Sequence, residues 1–260
     1  MTDPTPILVD IDEPVARITI NREERRNALS PEVVAGITVM LHELEKNFDI
    51  QVVVLTGAGD AAFCAGADLG GMTAESRVAQ HFQRSEVAEL FTQMRASRLP
   101  IIARVNGHAL AGGLGLMLAC DLVIGVEDVE IGMPEIDLGL WPFMITAVIQ
   151  RDVPRKVALE MMMTGRRMRM TEAYEWGIVN HAVPRSEFDR KIEEVVETLA
   201  SKSPLILSLG KRSFYRAEDM GFSDSLEYLA GMLTVCLESE DTVEGVAAFF
   251  QKRPPEWRGR

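Results

Sequence analysis

A chain of 260 residues with 47% hydrophobic and 25% charged content has the makings of a globular protein of one domain with an appendage, or of two small ones. Its formal charge of −12 argues against nucleic acid as a partner, and any anionic ligand would need a local basic patch working against the overall field. No apolar run is long enough to span a bilayer, the start MTDPTPILVD reads as no signal peptide, and Cys64, Cys120 and Cys236 lack metal spacing, which together predict a cytoplasmic protein away from membranes.

Taken in order, Ile7 to Ile11 and Val15 to Asn21 alternate in the strand manner around Asp12-Glu13-Pro14 and predict a hairpin. Arg22, Arg25 and Arg26 then cluster among acids. Ser30-Pro31-Glu32 is a helix start, with a capping serine and proline at the first position, and the helix should reach about Asn47. Val33, Ile37, Met40, Leu41 and Leu44 share one of its faces. Val52 to Thr56 is a buried strand, followed by the small-residue stretch GAGDAAFCAGADLGGM, and a helix is expected from about Ser76 to Ser97. A strand over 101–105 feeds Gly107, Gly112, Gly113 and Gly115, then a helix-like run over Leu114–Ala119 and a strand over Leu122–Val126. Glu135 follows the turn Gly132-Met133-Pro134. Beyond Pro142 the pattern is helical: Val157 to Met163, a capped start at Thr171, then 186–201, Ser203–Tyr215, 222–237 and 242–252. The recurrence of strand, loop and helix predicts an α/β architecture of stacked units, as either a flat sheet or a spiral.

A strand that breaks into glycine before a helix leaves backbone N–H groups facing outward, where a phosphate or an oxyanion can sit. Two such stretches and one acid, Glu135, are therefore candidates for chemistry. The plain alternative is a pair of tight turns and a solvated loop acid. Gly57-x-Gly59-x-x-Ala62 superficially imitates a dinucleotide fingerprint, but the residues after it lack the helix that fingerprint must open. His42, His81, His108 and His181 have no metal spacing, and only His108 adjoins the glycine-rich loop. No Gly-x-Ser-x-Gly elbow exists, Asp121 reads as a structural acid, and Met161, Met162, Met163, Met168 and Met170 read as core or subunit contact.

The segments NREERRNALS, VVVLTGAGDAAFCAGADL, VNGHALAGGLGL and PEIDLGLWP, with the tail EGVAAFFQKRPPEW, resemble the signature segments of the crotonase (enoyl-CoA hydratase/isomerase) superfamily across essentially the whole chain. The resemblance implies a spiral of ββα units over residues 1–200. It implies a C-terminal helical region over 201–260 that packs across subunits in a trimer, often doubled to a hexamer. The alternative for the tail is an ordinary helical layer on its own sheet.

The resemblance also implies an acyl-CoA substrate, coenzyme A entering as part of it, with no other cofactor and no metal. The thioester oxygen would lie between the N–H groups of Ala67 and Gly112. Arg26, Ala28, Leu29, Ala65, Gly66, Asp68, Leu69 and Gly113 fall where the family meets CoA, and Phe249 and Lys252 where it reaches a neighbouring subunit's CoA. For the arginines, the alternative is pairing with Glu23 and Glu24 on a wet loop. Glu135 matches the second of the two glutamates a hydratase of the family uses, but Gly115 stands in place of the first. Phe143 replaces a glycine that helps place water, and Trp141 and Phe143 would give Glu135 an apolar wall that raises its pKa. One base suffices to isomerise a 3-enoyl to a 2-enoyl thioester. Hydration of a 2-enoyl-CoA is the alternative, and a catalytically degenerate acyl-CoA-binding protein the second alternative.

Overall fold

In a computed structural model, which describes residues 5–68 and 77–260, β1 (Ile7–Asp12) and β2 (Val15–Ile20) form the expected antiparallel hairpin. The helix α1 (Pro31–Lys46) follows, its first turn closed by the Ser30 hydroxyl, which accepts from the Val33 N–H. Val33, Val34, Ile37, Leu41 and Leu44 bury one face of α1, each such burial contributing about 1.5–3 kcal/mol.

Three units then repeat. The strand β3 (Val52–Gly57) leads to β4 (Ala62–Cys64) and α2 (Arg77–Ala96). The next unit is β5 (Ile101–Val105), β6 (His108–Leu110) and α3 (Gly112–Leu118). The third is β7 (Leu122–Val126), β8 (Glu130–Gly132) and a short 3-10 turn over Pro134–Leu138. In each unit the first strand enters one sheet and the second strand another, which makes the stack a spiral rather than a flat sheet. With β9 (Arg167–Arg169) and β10 (His181–Val183), the sheets run β1-β2-β3-β5-β7-β10 and β4-β6-β8-β9. Apart from β1–β2 and β8–β9, neighbouring strands are parallel. Parallel strands covered on both faces explain the near-continuous apolar runs of β3 and β5.

Helices α4 (Phe143–Asp152), α5 (Arg155–Thr164), α6 (Met170–Glu175) and α7 (Phe188–Ala200) close the core. The start expected at Thr171 is corrected: α6 begins at Met170 after Arg169, and no side chain caps it. Among the five methionines, Met161, Met162, Met168 and Met170 are core and Met163 is exposed. The C-terminal helices are α8 (Pro204–Glu218), α9 (Phe222–Leu237) and α10 (Glu240–Gln251). The last begins two residues before the expected Thr242, because Ser239 is its cap. No residue of α9 is buried, and Phe222, Leu226, Leu233 and Leu237 stand exposed along it. Among the described residues no helix is long and apolar enough to cross a membrane.

Two buried asparagines hold the corners of the spiral. The Asn27 amide donates to the carbonyls of Ala58 (2.9 Å) and Ala62 (2.7 Å), while its oxygen accepts from the Arg22 N–H. The Asn106 amide donates to the carbonyls of Gly57 (2.8 Å) and Gly59, and its oxygen accepts from the Thr56 hydroxyl (3.0 Å). Satisfied buried amides of this kind fix loop geometry, because breaking one strands its partners without water. Asp121 is structural as expected: it accepts from the Ile101 N–H (2.7 Å) and the Tyr215 hydroxyl (2.9 Å), and pairs with buried Lys211 at 2.7 Å.

Candidate active site

The loop after β4 lies along the residue that follows the first arginine cluster. The Leu29 N–H donates to the Gly66 carbonyl (2.7 Å) and the Asp68 N–H to the Leu29 carbonyl (2.9 Å), which makes a parallel bridge between Leu29 and Ala67. Gly66 carries φ +99°, a conformation other residues rarely adopt, so the turn depends on glycine there. Across from it, α3 opens at Ala111, whose φ of 51° and ψ of −127° are sparsely populated for a residue with a Cβ. That strained residue directs the chain into α3 with the Gly112 N–H at the helix start.

The two amides converge. A Cβ added at Gly112 would lie 3.6 Å from the Ala67 nitrogen, and one added at Gly66 would lie 3.2 Å from the Gly112 nitrogen. Around Gly112 the protein makes only ordinary van der Waals approaches to that added atom, so its own packing does not demand glycine. Gly113 differs, because a Cβ there would lie 2.6 Å from the Cys64 carbonyl carbon. Its glycine character is set by packing of α3 on β4.

Glu135 sits in the 3-10 turn after β8. One carboxylate oxygen is buried with no hydrogen-bond partner, and burial raises its pKa, opposed only in part by its own backbone N–H. A desolvated carboxylate with one oxygen unpartnered is a stronger base than a solvated one, as a proton shuttle requires. Trp141 is half-buried against the core, whereas Phe143 is 78% exposed and contributes little cover. Half of the expected apolar wall is therefore free to meet a ligand instead.

Gly115 lies on the buried side of α3. A methyl group there would fall 2.7 Å from Ile145 Cβ, closer still to Ile145 Cγ2, and 3.3 Å from Phe91 Cζ. The place of a side chain at 115 is taken by α4. Sequence reading found Gly115 but not Ile145, since nothing local ties two positions on different helices.

Of the arginine cluster, Arg22 is committed to structure: it pairs with Asp68 at 2.8 Å and donates to the Ala28 carbonyl at 2.9 Å. Arg25 and Arg26 are exposed on the same turn, Arg26 with φ 54° and its carbonyl accepting from the Ala65 N–H. Ala28 and Leu29 are buried beneath them. Leu69 lies outside the described residues. Phe249 and Lys252 are exposed at the end of α10, which packs on α9. His108 has a structural task, its Nδ1 accepting from the Glu130 N–H at 2.9 Å between β6 and β8. Gly57 and Gly59 lead into β4, not a helix, so the dinucleotide reading falls. No group of acids, cysteines and histidines among the described residues could hold a metal ion.

A ββα spiral with two converging outward amides and one desolvated carboxylate defines a crotonase-type enzyme. The chain belongs to the enoyl-CoA hydratase/isomerase family, whose profile, described as "Enoyl-CoA hydratase/isomerase", matches residues 10–260. It is 31% identical to the (E)-benzylidenesuccinyl-CoA hydratase of Thauera aromatica, over 98% of this chain and 99% of that protein. It is 32% identical to the carnitinyl-CoA dehydratase of Salmonella typhi, over 95% and 96%. The crystal structure of an enoyl-CoA hydratase from Mycobacterium smegmatis matches with a TM-score of 0.94 at 32% identity, over 98% of this chain and 99% of that one.

Proposed function

We propose that the chain converts a 3-enoyl-CoA into the conjugated 2-enoyl-CoA, with Glu135 as the single acid–base group. Glu135 removes a proton from C2, and the C–H electron pair spreads over the dienolate with its negative charge on the thioester oxygen. The N–H groups of Ala67 and Gly112 stabilise that oxygen; preorganised donors of this kind each lower a barrier by roughly 3–4 kcal/mol. Glu135 then returns the proton to C4, and the double bond moves from C3–C4 to C2–C3.

The observation that carries this reading is position 115. Helix α3 reads GGLGLML, without an acid, and Ile145 fills the space a side chain at Gly115 would need. Arg26, Ala28, Leu29, Ala65, Gly66, Asp68, Leu69 and Gly113 would line the CoA, largely through backbone, and Trp141 and Phe143 would face the acyl group. The exposed apolar faces of α9 and α10 support self-association; the assembly we propose is of three or six copies, in the cytoplasm, with Phe249 and Lys252 reaching a neighbour's CoA.

Hydration of a 2-enoyl-CoA is the second reading, favoured by relatives named as hydratases and a dehydratase. Incubation with a medium-chain 3-enoyl-CoA and, separately, its 2-enoyl isomer separates the two. A rise in conjugated-thioester absorbance from the first supports isomerisation. A fall from the second, with 3-hydroxyacyl-CoA formed, supports hydration. Glu135→Gln should slow isomerisation by about 10²–10⁴-fold while still binding the thioester, and an unchanged rate removes Glu135 from the mechanism.

A further inference from the structure

Ala111 is the point at which the three parts of the candidate site meet. Its N–H donates to the Gly132 carbonyl at 2.9 Å, which ties it to the strand leading into the Glu135 turn. Its carbonyl accepts from the Leu114 N–H at 3.0 Å and closes the first turn of α3 around Gly112. Its methyl group faces the other loop. A Cβ added at Gly66 would lie 2.7 Å from the Ala111 Cβ, so the methyl already rests against the backbone next to Ala67.

The residue type at 111 runs against its own backbone. With φ 51° and ψ −127° the position suits glycine, which would take it without steric cost. Gly66, Gly139 and Gly165 hold left-handed positions in that way, whereas 111 carries a Cβ. Core packing does not account for the methyl, because Ala111 is only partly buried. Between 66 and 111 there is room for a single Cβ, and the chain places it where the backbone makes it costly. Strain kept at a site in this way persists because the surroundings hold it, here the Gly132 carbonyl and the first turn of α3. What the methyl meets is the seam between the Ala67 loop and the Gly112 helix start. It stands there as a spacer.

We infer that Ala111 is a positioning residue, its methyl group setting the spacing of the Ala67 and Gly112 N–H groups and so their match to a thioester oxygen. The inference rests on the oxyanion reading of those two groups above but not on which reaction follows.

Ala111→Gly and Ala111→Ser separate this role from a merely structural one. Glycine removes the spacer and relaxes the backbone, so Ala111→Gly should melt no lower than the wild type. Serine keeps the Cβ. A saturated medium-chain acyl-CoA carrying carbon-13 at the thioester carbonyl is bound to each protein, and its carbonyl stretch is followed by difference infrared spectroscopy. The band should fall in frequency on binding to the wild type and to Ala111→Ser, because two aligned donors polarise the carbonyl. In Ala111→Gly the fall should be smaller. With whichever enoyl-CoA the wild type turns over, Ala111→Gly should lower kcat about tenfold or more and leave KM within about twofold, since a misplaced donor is felt chiefly in the transition state. An unchanged band shift and kcat in Ala111→Gly overturn the inference and leave the oxyanion reading intact. A loss that comes with a lower Tm, or that Ala111→Ser shares, overturns it as well. A wild type whose bound carbonyl does not shift removes the oxyanion reading and the inference with it. A wild type that shifts the carbonyl but turns over no enoyl-CoA removes the proposed reaction alone, and the infrared comparison then decides the inference.

Discussion

Gly115→Ala tests whether α4 excludes a side chain from α3. The added methyl would sit 2.7 Å from Ile145 Cβ, well inside van der Waals contact, and 3.3 Å from Phe91 Cζ. Both neighbours are buried, Ile145 at 3% exposure and Phe91 at 6%, so neither has free space into which to retreat. Overpacking of this kind costs about 1–3 kcal/mol. In a chain of this size roughly 2 kcal/mol corresponds to a fall in Tm of about 4–8 °C. Ile145→Ala alone should cost about 2–5 kcal/mol through the cavity it leaves. In Gly115→Ala/Ile145→Ala the new methyl enters that cavity, so the double variant should be more stable than the sum of the singles by about 1–2 kcal/mol. Thermal unfolding of the four proteins, followed by circular dichroism, closes the cycle. A neutral Gly115→Ala, or strictly additive costs, would refute the packing argument and reopen position 115 to a second acid.

Glu135 should also leave a stability signature. Its pKa is raised by burial, so the unfolded chain releases this proton first as pH rises, and ionisation favours unfolding. The penalty is absent below the unfolded pKa and complete above the folded one. Glu135→Gln should therefore melt above the wild type at neutral pH, with the gap closing in acid; a lower Tm at neutral pH would contradict the burial. By the same shift, kcat/KM should rise with pH through a limb above the usual carboxylate range, because only the ionised group accepts the C2 proton. If the Gly112 N–H is an oxyanion donor as proposed, Gly112→Pro, at the first helical position, should cut turnover by about 10²–10³-fold. Near-normal turnover in the folded variant would dismiss that donor. Lys211→Met leaves the partly buried Asp121 carboxylate without its cation, though still bonded to the Ile101 N–H and the Tyr215 hydroxyl, and should cost up to about 3 kcal/mol. Asp121→Asn/Lys211→Met should recover part of the loss, and an equal or larger cost in the double variant would show that the pair is not coupled.

What could be read in the sequence was what is local. The hairpin, the Ser30 cap, the apolar strands β3, β5 and β7 and the glycine-rich helix start each depend on a few adjacent residues, and each lies close to its expected position. The second sheet was not legible, because β4, β6, β8 and β9 are three residues long and carry no period. It is nevertheless what turns the stack into a spiral. Asn27 and Asn106 were equally silent, since a buried amide has the same letter as a solvated one.

The site follows the same division. The glycines and Glu135 could be picked out as letters, but their chemistry depends on juxtapositions the letters do not contain. The Ala67 and Gly112 amides approach each other only because the Leu29 bridge and the strained Ala111 turn two loops toward each other. Gly115 alone admits two meanings: an open floor that could hold water, or a surface pressed against a neighbour. Ile145, thirty residues later on α4, selects the second. That contact removes the room for a second acid at this position of α3. The isomerase reading thus rests on the seam between α3 and α4, so substitutions that loosen it, Ile145→Ala first among them, are the ones expected to shift the balance between isomerisation and hydration.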